Sequence, residues 1–248
     1  MMAGSLPLFL LCAFLAETIG TMAGFGAATI LTPIAALFMD IKTAIAVVAC
    51  FHLFGNSSRL FFFHRHVRWP IWWRFGLTGV VCSLWGASLT ARLSSAAVEV
   101  LVGLFLMGYV VTSLVASERL RLPQKPVTLI GGGVVSGFVA GLIGTGGAIR
   151  SACLMVFALP KEAYIGTSAA IAIVVDATRV PVYVTGRFIP PTMVRALLGL
   201  MVVAFCGSWC GQRLVRRLSA HAFRRGVLAL LTIMGLKLLI DGWHGLSR

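Results

Sequence analysis

The chain has 248 residues, of which 59% are hydrophobic and only 11% charged, with a mean hydropathy of +0.97. Soluble domains carry about 25% charged residues, so this composition points to an integral membrane protein. The net charge of +14 falls in short clusters such as "HRHVRWPIWWR" and "RLVRRLSAHAFRR", set between apolar segments. There is no continuous basic face and no nucleic-acid motif, so a nucleic-acid partner is excluded and the charge is read as holding loops on one side of a bilayer.

The first apolar run covers residues 5–38. It begins in "MMAGSLPLFLLCAFLAE", which lacks a basic n-region and reads as the start of a membrane element, not a cleaved signal. As one helix this run would be about 50 Å long at about 1.5 Å per residue, against a hydrocarbon core of about 30 Å. Near its middle stands "AGFGAAT", Ala23 to Thr29. Runs of ordinary spanning length follow at 43–63, 71–90 and 96–116, and then the polar, proline-containing "SERLRLPQKP", residues 117–126, which suits a linker outside the membrane. The second half opens with another overlong run, 127–159, interrupted by "IGTGGAI", Ile143 to Ile149. Ordinary runs at 162–184, 192–212 and 223–243 complete the chain. The pattern predicts an all-α integral membrane protein. Each half, 1–116 and 127–248, is a glycine-broken helix, re-entrant or hairpin, followed by three transmembrane helices.

The halves match in order. Gly24 and Gly26 align with Gly144 and Gly146, Asn56 with Asp176, Arg59 with Arg179, Pro70 with Pro191, Arg74 with Arg195, and Gly86 with Gly207. Such internal repeats are common in secondary transporters. Charge tests their relative orientation. Sixteen Lys and Arg residues lie between the runs or near their ends. If each long run crosses once, they divide eight against eight. If each long run turns back at its glycines, only Lys42, Arg92, Arg187 and Arg195 lie on one side and the remaining twelve on the other. The second division obeys the positive-inside rule and makes the halves inverted copies. The expectation is an inverted repeat with a cytoplasmic linker and both termini outside.

Non-helical backbone survives at membrane depth only where protein or a water-filled cavity surrounds it. The start of the half-helix after each break offers free N–H groups and a positive dipole end. Gly24, Gly26, Thr145, Gly146 and Gly147 are therefore expected to cradle an anion, the competing reading being close helix packing through small residues. Arg59, Arg150, Asp176 and Arg179 are costly in hydrocarbon and are expected to face the interior. Asp176 and Arg179, three apart on one helix, can form an ion pair. Arg59 has no acid at helical spacing, only Asn56, Ser57 and Ser58, and such an arginine suits sulfite, sulfonate or carboxylate oxygens. Arg150 in the first turn of a half-helix opposes the helix dipole, which is reasonable if an anion sits beside it. Thr145, Ser151, Thr167 and Ser168 offer hydroxyl donors. Glu17 and His52 lie inside spans and are candidates for a coupling proton. Glu162 reads as a favourable acid at a helix start.

The six cysteines all lie in apolar runs without a CxxC, and no structural disulfide or metal site is expected. There is no HExxH, GxSxG or Walker lysine loop, so neither an enzyme nor a cofactor is predicted.

"AGFGAATILTP" and "AGLIGTGGAIRSACLMVFALPKEAYIGTSAAIAIV" together resemble the TauE/SafE family of sulfite exporters over nearly the whole chain. The resemblance rests on Gly24, Gly26 and Pro33, on Gly141, Gly144, Gly146, Gly147, Ala163, Gly166, Thr167 and Ser168, and on "VTGRFIP" at residues 184–190. It implies an inner-membrane transporter that exports a small anion such as sulfite, a sulfonate or a related organic acid. Arg150, Asp176 and Arg179 depart from the small or apolar residues usual there, which suggests a substrate needing different charge recognition. An anion channel and a thiol-dependent membrane enzyme using Cys206 and Cys210 are the alternatives. Homodimerisation and proton coupling are left open by the sequence.

Overall fold

The computed structural model describes residues 5–23, 26–115, 123–214 and 220–247. Gly24, residues 117–122 of the expected linker, Arg216 and Arg217 lie outside them. The described residues are helical, with no strand among them. Helices α1 (Leu6–Ala23), α2 (Ala28–Ala35), α3 (Ile41–Phe63), α4 (Trp69–Arg92) and α5 (Ser95–Val115) make the first half. Helices α6 (Pro126–Ile143), α7 (Gly147–Met155), α8 (Lys161–Thr185), α9 (Val194–Leu214) and α10 (Ala220–Leu246) make the second. Among the described residues six segments are long and apolar enough to cross a membrane: Ile41–His66, which is α3 with the short turn after it, and segments of α5, α6, α8, α9 and α10.

Helix ends follow local chemistry. The Asp40 carboxylate caps α3 by accepting from the Lys42 N–H at 2.9 Å. Pro70 and Pro126 occupy the first turns of α4 and α6, where a missing N–H costs nothing. Gly144 ends α6 in the left-handed region, φ +82°, with its N–H on the Ala140 carbonyl at 3.0 Å. Gly26 has φ +86° and closes the end of α1 through the Gly20 carbonyl at 3.1 Å. These are the turns that glycine alone adopts without strain.

Both overlong runs fold back. The Phe9 ring, near the start of α1, lies 5.5 Å from the Phe38 ring beyond α2. Gln124, just before α6, donates to the Val156 carbonyl just after α7, at 2.6 Å. With eight and nine residues, α2 and α7 are about 12–14 Å long, too short to span. Each broken run therefore brings its two ends back to the same end of the molecule.

Helices α3 and α8 run antiparallel through the centre. At one end the Arg68 N–H donates to Thr167 Oγ1 at 2.9 Å, and at the other Lys42 lies 5.3 Å over the Phe188 ring. Around them α4 packs along α6, α9 along α1, and α5 against α10. Exchanging the halves maps the first two pairings on each other and the third on itself. Glycine permits the close approaches: a Cβ on Gly137 would stand 2.2 Å from the Gly79 carbonyl oxygen, and one on Gly211 2.7 Å from that of Thr18. Outward faces carry Trp85, Leu198, Phe205 and Ile233, exposed as a lipid-facing surface requires.

Candidate functional site

Among the described residues, the break regions and the central helices bring six buried carboxylate, guanidinium or imidazole side chains into the interior: Glu17, His52, Arg59, Arg150, Asp176 and Arg179. A buried charge is tolerated only with partners, and the partners sort these groups into two clusters and one exception.

The first cluster joins α1 to α3. The Arg59 guanidinium makes an ion pair with Glu17, and also donates to Thr21 Oγ1 at 2.5 Å and Asn56 Oδ1 at 3.1 Å. Arg59 is thus not unpaired, as the spacing on its own helix implied; its acid comes from a different helix. Glu17 is fully buried and its second oxygen, Oε2, has no hydrogen-bond partner, nor has Arg59 Nε. Gly55 leaves room for the carboxylate, since a Cβ there would stand 2.8 Å from Glu17 Oε1.

The second cluster joins α3, α6 and α8. Asp176 Oδ1 accepts from Arg179 Nε at 2.9 Å and from Nη2 at 2.6 Å, while Oδ2 meets His52 Nδ1 at 2.8 Å. The expected Asp176–Arg179 pair is therefore present, and His52 links it to the other half. Arg179 Nη1 and the Tyr183 hydroxyl donate to the carbonyls of Ala140 and Gly141, each at 2.5 Å. The Ala140 carbonyl also takes the Gly144 N–H, and that of Gly141 the Thr90 hydroxyl, so these bonds anchor the cluster to the end of α6.

Arg150 is the exception. It is buried in α7 and its Nε donates to Ser168 Oγ at 3.0 Å. Among the described residues no acid lies within ion-pair range of it.

A cavity of about 260 Å³ opens between these parts. Of the residues singled out in the sequence, Gly26, Asn56, Arg59, Arg150 and Ser168 line it. Arg179 and Asp176 are locked in their own cluster and do not. Thr145 is turned to Thr29, hydroxyl to hydroxyl at 2.6 Å, which ties the two breaks directly together. Gly146 packs on α6, where a Cβ would stand 2.2 Å from the Ser136 carbonyl oxygen, and Gly147 begins α7. Thr167 is occupied by the Arg68 N–H. Glu17 and His52 stand behind the wall. His52 Nε2 has no partner and faces the Gly26 backbone, where a Cβ would come within 2.6 Å.

The lining also includes residues that sequence reasoning did not place in a site: Gly20, Thr21, Phe63, Lys161, Glu162, Tyr164 and Gln212. Part of the signal was there. Phe63 is one turn beyond Arg59, and Lys161, Ile165 and Ser168 share one face of α8 by their spacing. Gln212 has no such signal, because only the packing of α9 on α1 brings it in. Phe63, Lys161 and Gln212 put the cavity at the end of the molecule where α3 finishes and α8 begins.

A family model described as Sulfite exporter TauE/SafE matches residues 9–238, nearly the whole chain. No curated protein and no solved structure matches the chain.

Proposed function

The chain belongs to the sulfite exporter TauE/SafE family, and on that premise we propose that it is a secondary transporter that exports a small anion across the inner membrane, with Arg150 as the residue that recognises the anion. The observation that carries this is a buried arginine lining a cavity with no acid, among the described residues, within ion-pair range of it. A guanidinium in such a place holds donors in a fork that fits sulfonate, sulfite or carboxylate oxygens. Ser168 orients it, and Asn56, Tyr164 and Lys161 add polar groups around the same space.

The transport mechanism follows from the two halves. We read them as inverted repeats, 1–116 and 127–248, joined by a cytoplasmic linker. The returning broken runs, the antiparallel α3 and α8 and the exchangeable helix pairings support this reading. With the linker and the twelve basic residues on its side inside, the cavity end also faces the cytoplasm, so the conformation is the one in which an exporter loads. Rocking of one half against the other would then open the site outward, as alternating access requires.

The test is anion binding and flux with Arg150→Ala and Arg150→Lys. A hydrogen bond to a charged group contributes about 1.5–3 kcal/mol. Arg150→Ala should therefore weaken binding of sulfite and methanesulfonate about 10- to 100-fold in calorimetry on the purified protein. Arg150→Lys should recover part of that loss. Counterflow in proteoliposomes should be saturable and trans-stimulated; its absence would favour a channel. Unchanged affinity in Arg150→Ala would remove Arg150 from the site.

A further inference from the structure

We propose that Glu17 is the proton-binding group of this transporter: an incoming anion takes Arg59 from it, and one proton enters with each anion. The proposal rests on the anion-cavity reading above.

The two buried arginine–carboxylate pairs are built differently. Asp176 and Arg179 lie on one helix, three residues apart, so no movement between helices separates them. At the Asp176 position the first half has Asn56, and the acid for Arg59 comes instead from α1. At the Glu17 position the second half has Gly137, so the repeat does not demand this carboxylate. The Arg59–Glu17 pair therefore spans two elements, on a wall of the cavity, and sliding or displacement can break it.

Charge then dictates the proton. A carboxylate beside a site for anions repels its own ligand, and more strongly where water is excluded. When an anion engages Arg59, the Glu17 carboxylate is left buried, with Oε2 already lacking a partner. An isolated buried carboxylate costs several kcal/mol, and binding a proton removes that cost. The O–H bond forms with a proton from hydronium or a buffer acid at the open end. It breaks by return of the proton to water once the anion has left on the other side and Arg59 has recovered its partner. A monovalent anion thus crosses without net charge.

The other charged and titratable groups nearby do not substitute for Glu17. On α3, Arg59 faces it and His52 lies farther along, bound to Asp176. α9 presents Gly207 to the Glu17 side chain. Its Arg213 stacks on Trp209 at 3.8 Å, and its thiols Cys206 and Cys210 are free. α2 carries no ionisable side chain. Across the cavity stand Arg150, and Lys161, Glu162 and Tyr164 of α8.

The experiment uses methanesulfonate and 2-hydroxyethanesulfonate, whose charge stays fixed through the working pH range. Because a proton is taken up with the anion, wild-type affinity should fall as pH rises, by about tenfold per pH unit where uptake is complete. In weakly buffered solution, binding should remove about one proton per anion, a measurement on the wild type that needs no variant to fold. Glu17→Gln should bind with an affinity independent of pH, and its flux in proteoliposomes should become sensitive to membrane potential. Binding that needs Arg150 but removes no proton, or a Glu17→Gln protein that keeps the pH slope, overturns this proposal and leaves the cavity reading standing. A wild type that binds neither sulfonate overturns both.

Discussion

At the scale of single residues, two arginines in matching positions of the two halves do different jobs. Arg179 is sealed against Asp176 and the end of α6, whereas Arg59 reaches the cavity. The spacing of Asp176 and Arg179 made their pairing legible in the sequence. Neither His52 as a second partner nor Glu17 as the acid for Arg59 was legible, since both are contacts between helices. Removing one member of a buried pair leaves the other charge uncompensated, at about 3–5 kcal/mol. Asp176→Ala should accordingly lower the unfolding temperature sharply in detergent. The double variant Asp176→Leu/Arg179→Met should recover much of the loss, because an apolar pair needs no compensation. A double variant as unstable as the single one would place the damage elsewhere, in the bonds to His52 and Ala140.

At the scale of elements, the glycines divide into those that the helix pairs require and those that they do not. A Cβ on Gly137 would meet backbone, which can move only if α6 leaves α4. Gly137→Ala should therefore cost at least the ~1–3 kcal/mol typical of overpacking, read as loss of folded protein on size-exclusion chromatography. Gly131, on the same helix, has open space where its Cβ would be. Gly131→Ala should leave stability unchanged or raise it by up to ~1 kcal/mol, the helix propensity gained. The broken runs show the same division between what is local and what is not. Their length and glycines announced a break. Which residues of the breaks touch the cavity depended on the return path of α2 and α7, which turned Thr145 toward Thr29 and left Arg150 on the wall.

At the scale of the whole molecule, the proposed orientation makes a direct prediction. Ser94, between α4 and α5, and Lys125, before α6, are both exposed and belong on opposite sides of the membrane. In a cysteine-free background, a membrane-impermeant maleimide added to intact cells should label Ser94→Cys and spare Lys125→Cys until the membrane is opened. The reverse pattern would invert the molecule and make the cavity face outward. Labelling of both from one side would break the parity on which the inverted repeat rests.

The sequence by itself determined the solvent this protein lives in, the positions of its helices, the two breaks and the family resemblance. Each of these follows from local composition or from spacing along one chain, where hydrophobicity and helix period act directly. The tertiary structure alone decided which buried charges are neutralised and which remain available. That outcome depends on distances of a few ångströms between helices far apart in sequence: Glu17 reaches Arg59 across 42 residues and His52 reaches Asp176 across 124. Coulomb and hydrogen-bond energies fall off over those ångströms, so no periodicity in the chain records them. Arg150 acquires its significance the same way, from the acids that the fold places elsewhere.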